Sequence, residues 1–457
     1  MKKLFKGGWV IYGDHRTRKD ILVEGDKIAA VDENMNVEGA KVIDVAGKFL
    51  FPGFIDPHTH FELEVSNTVT ADDFYSGTRA AVGGGTTVIL DFATQNRGET
   101  LAEAYDNWNR KSAGKCSCDY GFHMAISEWN EAVDKEIIKM VERGITSFKL
   151  YMTYDAMYLN DGDIYKALKR IGDAGGLVGV HCENRQLIDA LIEEEKSQGN
   201  WEPYYHHMTR PPQAEGEAVH RLLDIAATAD TPVMIVHLST KEGFDMITYA
   251  RAKGQRVYVE TCPQYLVLTE EKYTLPGFAA AKYVIAPPLR SQEDQMVLWD
   301  GVKNNQIQTI ATDHCSFTLQ QKELGKEDFT RIPCGMPGVE TRPSLVYTYG
   351  VKTGIITDEQ MCALLSENPA RLYGLYPQKG TLLPGSDADI VVWDPEARRT
   401  LSAEDQLARV DYHPYEGIEV YGMAQQVYLR GELVAQNGKV LKENTGIYLV
   451  RKQGELD

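Results

Sequence analysis

The sequence predicts an α/β protein built on a parallel (β/α)8 barrel, with antiparallel β structure at both ends of the chain. Two observations predict this fold class. Eight short apolar runs in the middle of the chain alternate with stretches that are mostly long enough for helices. Before and after them, short β-rich runs alternate with turn signals, which is the pattern of strands and hairpins.

The first fifty residues show this hairpin pattern in three runs, WVIYGD, DILVEGDKIAAVDE and KVIDVAGKFLFPG. The eight apolar runs follow: FIDPHTH, TTVILDFA, DYGFHMAI, SFKLYM, LVGVHCE, PVMIVHLS, RVYVETCP and IQTIATDH. Between them, EAVDKEIIKMVERG and DGDIYKALKRIGDAGG have the periodicity of amphipathic helices. The hairpin pattern returns near the carboxyl end in GTLLPGSDADIVVWDP, AQQVYLRGELVAQNGKVL and GIYLVRK.

Two connections are unusually long. Residues 200–229 lengthen the fifth connection, and residues 316–343 follow the eighth run. Long loops on a barrel more often carry functional residues than serve only as connections. Within the first of them, the polar setting of His206 and His207 predicts solvated side chains.

Composition limits the classes of partner. The chain has 457 residues and a formal net charge of −18, which argues against nucleic acid or an anionic membrane as the main partner. Seven scattered cysteines fit a reducing compartment better than a disulfide framework. No stretch approaches the ~20 apolar residues of a membrane span, and the first residues lack the apolar core of a signal peptide. We therefore expect a cytoplasmic protein.

Residue types that bind metal ions occur in or at the ends of five predicted strands, and strand ends carry the catalytic residues of such barrels. Their side chains leave the strands at one mouth, as the i, i+2 spacing in HTH illustrates. Imidazole and carboxylate suit zinc, with manganese or other divalent ions possible. Six ligands are too many for one tetrahedral ion and about right for two. The set consists of His58, His60, Lys149, His181, His237 and Asp313.

Lys149 needs a separate explanation, because an isolated buried ammonium group is costly. A cationic lysine has three donors and no acceptor, so it cannot join the ligands. A neutral amine can ligate one ion. Carboxylated by CO2, the side chain becomes a carbamate whose two oxygens can bridge two ions. The spacing of the residues leaves both forms open.

The motifs together resemble the cyclic amidohydrolases, and within them the hydantoinase/dihydropyrimidinase group. The resemblance covers almost the whole chain. It implies a barrel at residues 53–375 beside a β-sandwich built from residues 1–52 and 376–457, and a homotetramer. It is carried by FPGFIDPHTHFE, TVTADDFYSGTRAAVGGGTTVILDFA, SFKLYMTYD, GVHCEN, IVHLST, VETCPQYLVLTEE, APPLR, ATDHCSF and GTLLPGSDADIVVWDP.

The resemblance also implies the arrangement of the metal ligands. His58, His60 and Asp313 would bind the more buried of two divalent ions, with zinc the expected metal. The other ion would be bound by His181 and His237. Lys149, carboxylated to N6-carboxylysine, would bridge the two.

The resemblance assigns further roles around the substrate. Tyr154 matches the tyrosine that donates to the developing oxyanion. Asp313 would take a proton from the attacking water and pass it to the leaving ring nitrogen. Ala286 and Cys334 stand where serine and asparagine are usual, at two positions that contact the ring largely through main-chain atoms.

The implied reaction is ring opening of hydantoins, 5,6-dihydropyrimidines or both to N-carbamoyl amino acids. Glu62 stands where dihydroorotases have an arginine for the substrate carboxylate, so an anionic ring is disfavoured. Gln264 in CPQY is similar to hydantoinases rather than allantoinases. The remaining alternatives are an allantoinase-like ureide hydrolase and a non-catalytic dihydropyrimidinase-like scaffold, although the intact ligand set favours an enzyme.

The loops after the first, second and fourth strands are expected to face the ring substituent. Two of them offer an apolar set suited to a carbon substituent, so 5-substituted hydantoins are expected among the substrates. Preference for the D-enantiomer follows from the resemblance alone. The apolar set is Phe61, Leu63, Val65, Met157, Tyr158 and Leu159.

Overall fold

The computed structural model describes residues 2–65 and 68–454. Its strands fall into an amino-terminal, a central and a carboxyl-terminal group. The amino-terminal strands are β1 (Lys2–Lys6), β2 (Trp9–Ile11), β3 (Arg16–Thr17), β4 (Asp20–Glu24), β5 (Lys27–Asp32), β6 (Lys41–Asp44) and β7 (Phe49–Pro52). The central strands are β8 (Phe54–Thr59), β9 (Glu64–Val65), β10 (Thr68–Val69), β11 (Thr86–Thr94), β12 (Asp119–Ala125), β13 (Ser147–Tyr151), β14 (Leu177–His181), β15 (Val233–Ile235), β16 (Val257–Thr261) and β17 (Thr309–Ile310). The carboxyl-terminal strands are β18 (Ile390–Thr400), β19 (Glu419–Leu429), β20 (Glu432–Gln436) and β21 (Lys439–Val440).

The helices lie mainly in the connections between the central strands. They are α1 (Phe74–Gly84), α2 (Leu101–Ser112), α3 (Glu131–Glu142), α4 (Asp161–Asp173), α5 (Arg185–Ser197), α6 (Tyr205–Met208), α7 (Pro212–Ala229), α8 (Lys241–Ala252), α9 (Pro263–Val267), α10 (Gln292–Lys303), α11 (Leu319–Lys322), α12 (Arg342–Val346), α13 (Asp358–Cys362) and α14 (Asn368–Leu372). Both predicted amphipathic segments are helical, as α3 and α4. Asparagine caps each of them, with Asn130 and Asn160 accepting hydrogen bonds from the first turn.

Eight parallel strands form the barrel, in the order β17–β16–β15–β14–β13–β12–β11–β8. The two end strands approach each other just past their carboxyl ends, where Thr59 pairs with His314 and the His60 amide donates to the His314 carbonyl at 2.8 Å. Almost every residue of β11 and β12 is buried, as expected for strands covered on both faces. The predicted (β/α)8 barrel is confirmed.

The β domain consists of two sheets. One is the four-stranded sheet β5–β4–β1–β6, and the other is the seven-stranded sheet β21–β20–β19–β18–β7–β2–β3, which joins both ends of the chain. Side chains from both ends share one buried cluster, including Phe5, Leu50, Ile390 and Tyr428. The predicted sandwich is thus confirmed. The exact domain boundaries, after residues 52 and 375, stay a prediction.

The segment GIYLVRK does not join either sheet of the sandwich. Its Tyr448 pairs with Tyr120 of β12, and Arg451 is buried with hydrogen bonds to the Phe122 carbonyl and the Ser147 hydroxyl. The expectation of a further hairpin strand here was wrong, because the segment packs on the amino-terminal end of the barrel instead. Within the described ranges, no helix is both long and apolar enough to cross a lipid bilayer.

Candidate metal centre

Three predicted ligands meet at the point where β8 and β17 end. The Oδ1 atom of Asp313 lies 3.2 Å from Nε2 of His58 and 3.1 Å from Nε2 of His60. One ligand atom from each residue falls within 4.8 Å of the others, a spacing that fits a single metal ion. Burial lowers the pKa of His58 well below its usual value, so its ring is neutral, as a metal ligand must be.

Lys149 lies beside this trio at the centre of the barrel. Its side chain is 1% exposed, and its Nζ atom is 3.5 Å from Nε2 of His58. Among the described residues, none offers Lys149 a carboxylate within 4.0 Å. Burial accordingly lowers the pKa of the ammonium group to about 8, because the charged form loses its hydration. The side chain of Lys149 points into the barrel, as the alternation along the strand predicts.

The other two histidines form an adjacent pair. The rings of His181 and His237 have centroids 4.6 Å apart, and His237 is 5.5 Å from His58 by the same measure. All six predicted ligands therefore cluster at one mouth of the barrel. Buried ring nitrogens of His60 and His237, both Nδ1 atoms, lack a hydrogen-bond partner in the part of the chain that the structure describes.

Hydrogen bonds orient the ligands from behind. The Glu260 carboxylate is 2.6 Å from Nδ1 of His58, which leaves Nε2 of that ring facing Asp313. Such carboxylate–histidine pairs fix the tautomer and direction of a metal-binding imidazole. Burial raises the pKa of the Glu260 carboxyl to about 8, a direction that a neighbouring divalent cation would reverse.

Asp313 is held through the residue before it. The Thr312 hydroxyl donates to Asp56 at 2.7 Å, and the Gln264 side chain donates to the Thr312 carbonyl at 3.1 Å. Both anchors are buried, so the chain direction at Asp313 is fixed from two sides. Gln264, singled out from the CPQY motif, thus contacts the segment that carries a predicted ligand.

Tyr154 and His181 share a second anchoring network. His181 pairs through Nε2 with Glu183 at 2.7 Å, and Arg210 donates to the same carboxylate oxygen at 2.6 Å. The Arg210 guanidinium lies 5.8 Å from the centroid of the Tyr154 ring. Burial raises the pKa of the Tyr154 phenol well above its usual value, so the hydroxyl stays protonated and able to donate.

Three of the predicted site residues adopt a backbone conformation that side chains rarely take. The φ angles are 68° at Tyr154, 38° at His237 and 53° at Asp313. Residues other than glycine with positive φ are uncommon, and such strain tends to cluster at functional sites. The sharp turns at these strand ends direct the side chains over the barrel mouth.

Sequence reasoning placed some side chains wrongly. His206 is buried rather than solvated, and its Nε2 donates to the Ile285 carbonyl at 2.7 Å. Phe61 and Leu159 belong to the hydrophobic core, where Phe61 packs edge-on against Phe74, so neither is free to form the expected wall. The remaining apolar candidates are half-buried. Residues 66 and 67 of the first loop lie outside the described residues.

Glu62 has cationic neighbours that the sequence argument did not include. Its carboxylate is 3.7 Å from the Lys115 ammonium, and Lys111 donates to its main-chain carbonyl at 2.7 Å. The two lysines partly offset its charge. The argument against anionic rings is weaker for that reason.

The sequence analysis missed Glu260, Glu183 and Arg210. Glu260 lies on β16 with its side chain on the barrel interior, and a carboxylate in an otherwise apolar strand is the signal that would have identified it. Glu183 has a local signal as well, since it follows His181 at i+2. No local pattern connects Arg210 to either.

Comparison with known proteins gives consistent relationships along the whole chain. Residues 49–434 match the model of the amidohydrolase family. The D-hydantoinase of Geobacillus stearothermophilus is 44% identical over 461 residues, covering 100% of this chain and 98% of that protein. The D-hydantoinase of Streptomyces coelicolor is 42% identical, covering 98% of each. The crystal structure of dihydropyrimidinase from Brevibacillus agri superposes with a TM-score of 0.98 at 42% identity, covering 99% of both chains.

Proposed function

The chain belongs to the amidohydrolase family, in its hydantoinase/dihydropyrimidinase group, and we propose that it opens the rings of hydantoins and 5,6-dihydropyrimidines. The products are N-carbamoyl amino acids. One observation carries the proposal: all six metal-ligand candidates converge on the barrel mouth of a chain that aligns end to end with D-hydantoinases. The allantoinase-like and scaffold alternatives are not favoured.

The donor set fits two divalent ions, with zinc as the proposed metal. Neutral imidazoles beside a carboxylate suit zinc. Two observations indicate that a bound cation would stabilise this site. The Nδ1 atoms of His60 and His237 have no hydrogen-bond partner in the described chain, and burial raises the pKa of the Glu260 carboxyl. His58, His60 and Asp313 would hold one ion, and His181 and His237 the other. Bound there, the ions would polarise a carbonyl and lower the pKa of water to near neutrality.

We propose that Lys149 is carboxylated. The unmodified ammonium has neither a carboxylate partner nor solvent, whereas its lowered pKa leaves more of the amine in the neutral form that reacts with CO2. In that step the amine nitrogen forms a bond to carbon and loses one proton to solvent. The resulting carbamate would offer two oxygens as metal ligands and would replace the buried positive charge with a negative one.

The remaining chemistry belongs to Tyr154 and Asp313. The Tyr154 ring lies beside His181 and Arg210. Its protonated hydroxyl would donate a hydrogen bond to the oxygen of the attacked carbonyl as negative charge develops there. Asp313 would accept a proton during attack and return it to the ring nitrogen as the amide bond breaks. The 3.1 Å distance between its Oδ1 atom and Nε2 of His60 supports this role.

We propose that main-chain groups at Ala286 and Cys334 hold the ring. Both residues are half-buried, and within the described chain neither their amide hydrogens nor their carbonyls have a hydrogen-bond partner. A cyclic imide presents matching N–H and C=O groups, so free main-chain donors and acceptors can bind it without help from the side chains. The substitutions away from serine and asparagine are then tolerated.

A panel of rings tests the function. The purified protein is expected to open dihydrouracil, hydantoin and 5-alkyl or 5-aryl hydantoins, since half-buried apolar side chains remain in the loops that follow the barrel strands. A preference for the D-enantiomer, measured by chiral chromatography, is expected from the resemblance to D-hydantoinases alone. Allantoin and dihydroorotate are the comparison rings. Faster turnover of allantoin than of every hydantoin would favour the ureide hydrolase. A purified protein that contains no stoichiometric metal and turns over none of these rings would indicate the non-catalytic scaffold.

We propose further that the protein is a cytoplasmic homotetramer. The tetramer rests on the resemblance to the hydantoinase group, and the location is supported by seven unpaired cysteines, of which six are buried. Light scattering at working concentration is expected to give a mass about four times that of the 51.2 kDa chain. A monomeric mass under the same conditions would contradict the tetramer.

A further inference from the structure

Lys322 is a buried lysine outside the metal centre that the proposed mechanism does not use. It ends helix α11 in the long loop after the eighth strand, and it is 0% exposed. Its ammonium donates to three main-chain carbonyls: Val284 at 2.9 Å, Pro333 at 2.6 Å and Gly335 at 2.7 Å. A cation buried with three neutral carbonyls as its ligands costs stability compared with an apolar side chain, so its presence calls for an explanation.

The three carbonyls flank the two positions that are proposed to hold the ring. Pro333 and Gly335 lie on either side of Cys334, and Val284 lies two residues before Ala286. The two segments also contact directly, since the Gly335 amide donates to the Val284 carbonyl at 3.0 Å. Lys322 therefore joins the two main-chain segments at one point.

Planarity of the peptide bond converts these contacts into directions. In a trans peptide the carbonyl and the following amide hydrogen point opposite ways. Because the Pro333 carbonyl points to Lys322, the Cys334 amide points away from it. Because the Gly335 amide points to Val284, the Cys334 carbonyl points away from Val284. Neither peptide is among the cis bonds of the described residues.

His206 acts in the same way on the other segment. Its Nε2 donates to the Ile285 carbonyl at 2.7 Å, so the Ala286 amide hydrogen points away from the buried histidine. The Pro333 and Gly335 carbonyls beside Cys334, and the Ile285 carbonyl before Ala286, accept from these buried donors. The main-chain groups of Ala286 and Cys334 have no such partner in the described chain.

The local packing leaves little freedom for this loop. Gly335 has a φ of 148°, and a Cβ there would lie 2.2 Å from the Cys315 carbonyl oxygen. Met336 pairs with His314, the residue after Asp313, which ties the loop to the metal centre. The loop that carries Cys334 is thus held against the segment that carries Asp313.

We propose that Lys322 is a positioning residue that aims the main-chain donor and acceptor of Cys334 at a cyclic imide. The inference rests on the proposed function and extends it, because it names the side chain that orders the ring-binding main chain. At pH 7 the ammonium form prevails, since burial lowers its pKa only to about 8. The ring edge recognised is an –NH–CO– unit.

Lys322→Met tests this inference on the full-length, metal-loaded protein with hydantoin and dihydrouracil as probes. Loss of the ammonium should raise KM about tenfold or more while kcat changes by less than about threefold, since binding common to ground and transition states is lost. Metal content should stay at the wild-type value. Lys196→Met is the matched control, because Lys196 binds Asp328 and Thr330 at the outer side of the same loop. It should keep the wild-type KM.

Melting temperature and KM together distinguish a positioning role of Lys322 from a purely structural one. A Lys322→Met protein that melts at a lower temperature yet keeps the wild-type KM would overturn the inference, because the lysine would then serve stability alone. If that variant is not recovered folded, Lys322→Gln decides, since an amide can serve two of the three carbonyls and should give an intermediate KM. A wild-type KM in Lys322→Gln would overturn it. A wild-type protein that neither binds these rings by calorimetry nor opens them overturns the proposed function and this inference together.

Discussion

Replacing Lys149 with alanine is expected to lower kcat/KM on hydantoin by at least about a thousandfold, or about 4 kcal/mol of transition-state stabilisation. Lys149 is proposed to bridge the two ions, so the variant should also lose metal from the purified protein. Steady-state kinetics and elemental analysis measure the two effects. Both should appear without loss of fold, because alanine removes a buried cation that has no carboxylate partner in the described chain.

Short carboxylic acids distinguish a carbamate from an amine ligand. Acetate or propionate can enter the space vacated by the side chain and supply two oxygens, so partial recovery of activity is expected in Lys149→Ala. The same acids should not rescue His60→Ala, in which an imidazole ligand is missing. Electron density for an unmodified Lys149 beside two bound ions would contradict the carboxylation, and full activity of Lys149→Ala would contradict the bridging role.

Replacing Tyr154 with phenylalanine is expected to lower kcat about 10²- to 10³-fold, the usual cost of losing one donor to a developing oxyanion. The hydroxyl is the only group removed, so the ring contact with His181 can remain. Metal content and KM should therefore change much less than kcat. Single-turnover kinetics on dihydrouracil separates this effect on chemistry from any effect on product release.

Tyr165→Phe supplies the matched control for the loss of a phenolic hydroxyl. Tyr165 is also half-buried, but it lies on α4, outside the barrel mouth. It should retain the wild-type kcat. A Tyr154→Phe enzyme with unchanged kcat would remove Tyr154 from the mechanism. A variant that loses metal together with kcat would instead assign it a role in holding the ligands.

Local patterns explain why the barrel and the ligand set are readable in the sequence. Strands buried on both faces give continuous apolar runs such as TTVILDFA, and side-chain alternation places residues two apart on the same face. Barrel strands also share one direction, so residues at their carboxyl ends must meet. These rules suffice to bring His58, His60, His181, His237 and Asp313 to one mouth and to direct Lys149 inward.

The orientation of those ligands depends on partners that are distant in the sequence. His58 is paired with Glu260, which lies 202 positions away, and Arg210 reaches Glu183 from the connection between β14 and β15. Neither pairing produces a periodic pattern in the sequence, because each depends on how strands and loops pack in three dimensions. The buried state of His206 was misjudged for the same reason, since its neighbours in sequence are polar while its partner is the Ile285 carbonyl.

The sequence by itself determined the family, the barrel with its two-ended sandwich and the identity of the residues that gather at the mouth. Tertiary structure alone decided which apolar loop residues are core rather than wall, that the GIYLVRK segment packs on the barrel, and that Lys322 holds the main chain around Cys334. The physical reason is the range of the interactions. Strand and helix patterns arise from neighbours along the chain, whereas burial and hydrogen-bond partners arise from contacts that only the folded chain creates.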